Sequence, residues 1–147
     1  MFKRFTGAGM ALFSVLSISM SACSSGAPST SSQEVQEIVV KVSEFAFEPA
    51  EIEVKVGRPV RIVVENDGTL LHDFSSDDAK AEITKSEGAE HAAHDATPSS
   101  AALHVAAETG QQATLEFTPT EVGTYTFYCS VEGHRQSGMA GKLIVTP

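Results

Sequence analysis

Paired cysteine is the first thing this chain does without. It holds only Cys23 and Cys129, too few for the disulfide framework that staples small exported domains. Basic charge is scarce too: 10 lysines and arginines stand against 19 aspartates and glutamates, a formal net charge of −9. Nucleic acid is therefore excluded as a partner, because its phosphates would be repelled. Hydrophobic runs are short, and the apolar stretch over residues 7–20 is too brief and too poorly flanked for a stable membrane span. No internal repeat and no sustained helical heptad is present, which argues against solenoids and coiled coils.

What is there begins with an address. Lys3 and Arg4 precede the apolar stretch, and the small residues Ser21 and Ala22 follow it, leading into Cys23. Charge, apolar run and small residues in that order read as an export signal. A cysteine directly after the small pair resembles a bacterial lipobox, whose thiol is diacylated and becomes the new N-terminus. That resemblance implies a signal over 1–23, lipidation of Cys23 and a cell-envelope protein anchored to a membrane, facing the periplasm or the exterior. Residues 24–33 read SSGAPSTSSQ, so 24–37 is expected to be a flexible tether. The acid is unevenly spread. Residues 75–110 carry seven acids against two lysines, whereas 111–147 carry three acids against two bases, a balance that allows steering toward a cationic partner.

Residues 38–147 suffice for one domain and not for two. Strand signals dominate them. Residues 38–42 are rich in β-branched side chains, and 51–56 alternate charged with apolar ones. Gly57 and Pro59 mark a turn before a strand over 60–65, which stops at Asn66-Asp67-Gly68. Further strands are predicted over 113–117, 124–129 and 142–145, and His72 is taken to close a strand. Short strands with regular turn signals predict an all-β sandwich. The interval 75–110 breaks the pattern, being rich in Ala, Ser, Glu and Asp. A short helix is expected over 79–85 and another piece over 101–108, within a helical or irregular insertion. Its His91, His94 and His104 read as solvated loop histidines, with a second metal site as the alternative.

The chemistry concentrates near the C-terminus, in Cys129-Ser130-Val131-Glu132-Gly133-His134-Arg135-Gln136-Ser137-Gly138-Met139. With Cys23 assigned to the anchor, Cys129 is a lone thiol in an exported chain, an oxidation liability unless it is buried or metal-bound. Two imidazoles, a thiolate and a weak thioether suit both Cu(I) and Cu(II). Glycine stands just before His134 and just before Met139, and the two five-residue steps suit a loop folded around one ion. His72 would join from a separate strand end. Singly, Met139 reads equally as a core gap-filler and His72 as a structural histidine; the set of four reads as one copper site.

These residues resemble the cupredoxins, the small blue copper proteins that include plastocyanin, azurin and auracyanin. Phe45-Ala46-Phe47-Glu48-Pro49, followed by a strand, Gly57 and a second strand, resembles the opening of many bacterial members. Tyr128-Cys129, Gly133-His134 and Gly138-Met139-Ala140-Gly141 resemble the ligand loop, and the Cys-x4-His-x4-Met spacing is most like that of auracyanin. The resemblance implies an eight-stranded Greek-key sandwich over 38–147 with one copper near one end. His72, Cys129 and His134 would be its strong ligands and Met139 the axial one. It also implies that His134 is a partly exposed edge, ringed by apolar residues, through which electrons pass. Asp73 stands where the family often has asparagine, bridging the two ligand loops from behind the metal.

Two functions follow as expectations. One is a monomeric, membrane-tethered electron carrier that cycles between redox partner proteins and is not an enzyme, since catalysis needs an open coordination position. The other is a copper-binding lipoprotein for copper capture or delivery in the cell envelope. A multicopper oxidase or nitrite reductase is excluded by length, because those resemble several such domains joined.

Overall fold

Branched and aromatic side chains alternating with polar ones build two facing five-stranded sheets in the computed structural model, which describes residues 34–89 and 101–147. Ten strands lie within these residues: β1 (Gln36–Ser43), β2 (Ala46–Glu48), β3 (Glu51–Lys55), β4 (Val60–Asn66), β5 (His72–Ser76), β6 (Ala81–Glu87), β7 (Leu103–Ala107), β8 (Gln112–Pro119), β9 (Gly123–Tyr128) and β10 (Ala140–Thr146). One sheet runs β2-β1-β4-β8-β6 and the other β3-β10-β9-β5-β7. The all-β sandwich expected from the sequence is present, with ten strands among the described residues instead of eight. Strand β1 opens at Gln36, paired in parallel with Val60, two residues ahead of the expected start of the domain. Cys23, His91 and His94 lie outside the described residues.

The period-two pattern places the core. Val60, Ile62 and Val64 of β4 point inward, opposite Phe117, Leu115 and Ala113 of β8. From the other sheet Ile52, Val54, Leu143 and Val145 meet them. Phe127 stacks on Phe74 with ring centroids 4.6 Å apart, and Phe47 stands edge-on to Phe127 at 5.0 Å. Aromatic contacts in these geometries add about 0.5–1.5 kcal/mol each beyond their buried area. This trio underlies the functional end of the sandwich, since Phe74 shares a sheet face with His72.

The interval 75–110 corrects the sequence reading. Its described residues hold no helix: the segment expected to be helical over 79–85 enters β6, and the piece over 101–108 is β7. Alanine and glutamate favour helix by weak intrinsic preference, and pairing along a sheet edge overrides it here. Strand β6 is exposed along nearly all its length, carries Glu82, Lys85 and Glu87, and breaks register between Ile83 and Lys85. It thus shows no alternation to detect, and its charges and irregularity protect an open edge. Strand β5 was missed for the opposite reason: all five residues are buried, so its sequence does not alternate either. His72 therefore opens a strand instead of closing one.

Close backbone approach gives a direct test of this packing. A Cβ added at Gly141 would lie 2.2 Å from the Phe127 ring and 2.4 Å from the Ala50 carbonyl oxygen. Gly141→Ala is expected to destabilise the domain by about 1–3 kcal/mol, read as a drop in thermal midpoint; an unchanged midpoint would contradict the packing.

Candidate metal centre

Two short segments create the site, and each is held by backbone chemistry. The first is the turn before β5. Buried Asn66 donates from Nδ2 to the carbonyls of Leu70 (2.8 Å) and Ala107 (2.9 Å), and its Oδ1 accepts the Gly68 amide at 2.9 Å. That side chain shapes the loop that delivers His72. Gly68 is tightly packed, since a Cβ there would sit 3.0 Å from both His72 Nε2 and Glu44 Oε1 and would press on those side chains. The second segment follows β9. Gly133 (φ 84°) and Gly138 (φ 96°) adopt left-handed backbone that other residues resist. The Met139 amide donates to the His134 carbonyl at 3.0 Å, and the Cys129 amide donates to the Met139 carbonyl at 3.2 Å. The repeated five-residue spacing is thus the spacing of a closed, hydrogen-bonded loop.

Folding brings His72, Cys129 and His134 together, all buried, with one ligand atom from each within 4.8 Å of the others. Cys129 Sγ lies 3.8 Å from His72 Nδ1 and 3.4 Å from His134 Nδ1. A first-row ion about 2.3 Å from sulfur and about 2.0 Å from nitrogen, with bonds about 110–120° apart, sets these atoms about 3.5–3.7 Å apart. The observed distances bracket that range, so the donor set fits one ion bound by two ring nitrogens and one sulfur. Such mixed soft and borderline donors suit copper in either oxidation state. Met139 is fully buried, and its backbone bonds to Cys129 and His134 put it in the same loop. Among the described residues this is the one cluster of metal-binding side chains found. His104 is elsewhere, on β7, with Nδ1 2.8 Å from Ser75 Oγ.

Asp73 joins the segments. Its Oδ1 accepts the Ser130 amide at 2.9 Å and its Oδ2 the Ser130 hydroxyl at 2.6 Å. The residues next to His72 and Cys129 are therefore tied across the two segments. Burial, with the neighbouring His134 next, holds His72 below its ordinary value and so favours the neutral imidazole that a metal needs. Burial also pushes the Cys129 thiol up to about 11, with the Asp73 charge as the second cause.

His134 differs from expectation. It is 5% exposed, so the partly open edge is nearly closed. Phe45 stands edge-on to it at 5.3 Å and takes the solvent-facing position at 46% exposure. Phe45 itself has φ 64°, an uncommon conformation for a bulky residue. Sequence reasoning missed Asn66, Gly68, Ser130 and the covering role of Phe45. Asn66-Asp67-Gly68 signalled a turn, but nothing local tied it to the site.

Comparison with known proteins agrees with this geometry. The profile of the Cupredoxin-like domain matches residues 10–145. The copper-resistant cuproprotein CopI of Pseudomonas aeruginosa is 32% identical over 149 residues, covering 83% of this chain and 82% of that protein. Among solved structures, auracyanin B superposes with a TM-score of 0.59 at 20% identity, covering 76% of this chain and 89% of that one. Auracyanin A, a blue copper protein of Chloroflexus aurantiacus, gives 0.57 at 23% identity, covering 77% and 100%. At those identities the two structures speak to the fold alone.

The buried thiol makes a prediction for the metal-free protein. The Cys129 thiol ionises near 9 when unfolded and about 11 when folded. Below pH 9 it is neutral in both states; as pH rises from 9 to 11 the unfolded chain loses its proton first and gains stability. The metal-free domain should therefore lose about 2–3 kcal/mol over that window, seen as a falling thermal midpoint. Cys129→Ser should flatten this part of the profile, and an equal slope in both proteins would contradict the buried thiol.

Proposed function

The chain belongs to the cupredoxin-like family, and from that premise we propose that it is a type 1 copper protein that carries single electrons from the surface of a membrane. Copper held here would supply a Cu(II)/Cu(I) couple. The observation that carries the reading is the closed, preassembled donor set: His72, Cys129, His134 and Met139 are each 5% exposed or less. His72, Cys129 and His134 would hold the ion as strong donors, with the Met139 thioether as the weak one. A cage already assembled by hydrogen bonds needs little rearrangement when charge changes. It also leaves no face open to a substrate, which favours transfer over catalysis.

Electrons would enter and leave at the end where Phe45 covers His134. Phe45 and Leu70, 46% and 48% exposed, offer that end as an apolar contact for donor and acceptor proteins. Lipidation of Cys23 would hold the domain, as a monomer, in the cell envelope, with 24–35 as the reach between anchor and sandwich. A second reading, copper capture or delivery, is favoured by the copper-resistance name of the CopI relative. A delivery site would release its ion readily, whereas buried donors retard release.

Colour and voltammetry separate the two readings. The Cu(II)-loaded protein should absorb intensely in the visible from thiolate-to-copper charge transfer and show one reversible one-electron wave. Rapid surrender of copper to a chelator, with no reversible wave, would favour delivery. Cys129→Ser should abolish the colour, and Met139→Leu should keep it while shifting the potential. For the anchor, Cys23→Ala should move the exported protein from the membrane fraction to the soluble fraction, and unchanged membrane association would refute lipidation there.

A further inference from the structure

His104 was legible in the sequence as a loop histidine, and the fold gives it another setting. It sits on β7 directly opposite Ser75 of β5. Its Nδ1 is 2.8 Å from Ser75 Oγ, which is in turn 2.9 Å from Asp73 Oδ1. Asp73 then bonds Ser130 through both oxygens. The result is one continuous chain, His104–Ser75–Asp73–Ser130, running from the outer strand of the sheet to the residue after Cys129. Ser75 is fully buried and Asp73 is 3% exposed, so water does not substitute for the bond between them.

Proton accounting gives the chain a direction. Both carboxylate oxygens of Asp73 already accept from Ser130, and an ionised carboxylate has no proton to give. The single hydroxyl proton of Ser75 therefore goes to Asp73. Its oxygen must then accept from His104, which requires the proton on Nδ1. Every donor points toward Asp73, the residue adjoining His72 and tied to the neighbour of Cys129. We infer that His104 is a positioning residue for the copper centre, acting through Ser75 to orient and polarise the Asp73 carboxylate that clamps the two ligand segments.

The consequence is electrostatic as well as geometric. Hydrogen-bonded groups behind metal ligands tune the metal, and hydrogen bonds in series polarise one another. Withdrawing the His104 donor leaves Ser75 a poorer donor and Asp73 a more concentrated negative charge beside the site. More negative charge favours the higher oxidation state of the metal. Loss of the donor should therefore lower the reduction potential, which a purely structural filler would not do. The inference rests on the copper assignment but not on the electron-carrier reading.

The test uses the full chain. In metal-free protein, long-range proton–nitrogen correlation of the imidazole should show His104 protonated at Nδ1, with that preference lost in Ser75→Ala. In the copper-loaded protein, His104→Phe should lower the potential and shift the visible band. His104→Asn, whose amide reaches the position of Nδ1, should restore both. Ser75→Ala should match His104→Phe, and the double variant should add nothing further, since both cut one chain. A His104 ring protonated only at Nε2 in the metal-free wild type would overturn the proposal. So would an unchanged potential in Ser75→Ala, which keeps the test decisive if His104→Phe fails to fold.

Discussion

The clamp of Asp73 on Ser130 is the interaction on which the functional end of this protein depends. His72 and Cys129 come from segments 57 residues apart in sequence, and strand pairing between β5 and β9 is confined to Ser75 and Tyr128. Two charge-assisted bonds from one buried carboxylate therefore finish what the sheet begins. Bonds of this kind are shorter and about twice as strong as neutral ones. They act one residue behind each ligand, where a small displacement would open the sulfur–nitrogen distances.

The rest of the molecule supports that clamp in layers. The Phe47, Phe74 and Phe127 rings pack on one another in the core, with Phe74 two residues along β5 from His72, and a core packed at crystal-like density resists displacement. Beside it the backbone bonds among Cys129, His134 and Met139 close the ligand loop on itself. Above it Phe45 covers His134 at the cost of a left-handed backbone; strain of that sort persists where surrounding structure over-determines it. Burial then sets the chemistry. It keeps His72 neutral and the free thiol protonated, so a bound cation must displace a proton from Cys129 and compensates the charge left behind.

Tyr128 marks the boundary of this organisation. Burial first, then its short hydrogen bond to Asp77, pushes its hydroxyl up to about 12. Arg135 lies over its ring at 3.8 Å and pairs with the same carboxylate at 3.6 Å. The residues flanking Cys129 and His134 are thus tied to one another on the surface, outside the ligand cage. Arg135 and Asp77 are both more than half exposed, so the ion pair itself contributes little.

Much of this was legible from residues alone. Six strands showed themselves by alternation or β-branched runs, and Cys129, His134 and Met139 by spacing and flanking glycines, because both signals are local in the chain. Strands β5 and β6 were not legible, since one is buried on both faces and the other on neither, and a period of two needs one face of each kind. The sequence by itself determined an all-β chain with copper-suited side chains near its C-terminus. Only the tertiary structure decided that His72 opens a strand, that Asp73 clamps the site, that His104 reaches it through Ser75 and that Phe45 covers His134. Those relations join residues far apart along the chain, and a contact between distant segments is a property of how sheets pair, leaving no periodic trace in either segment.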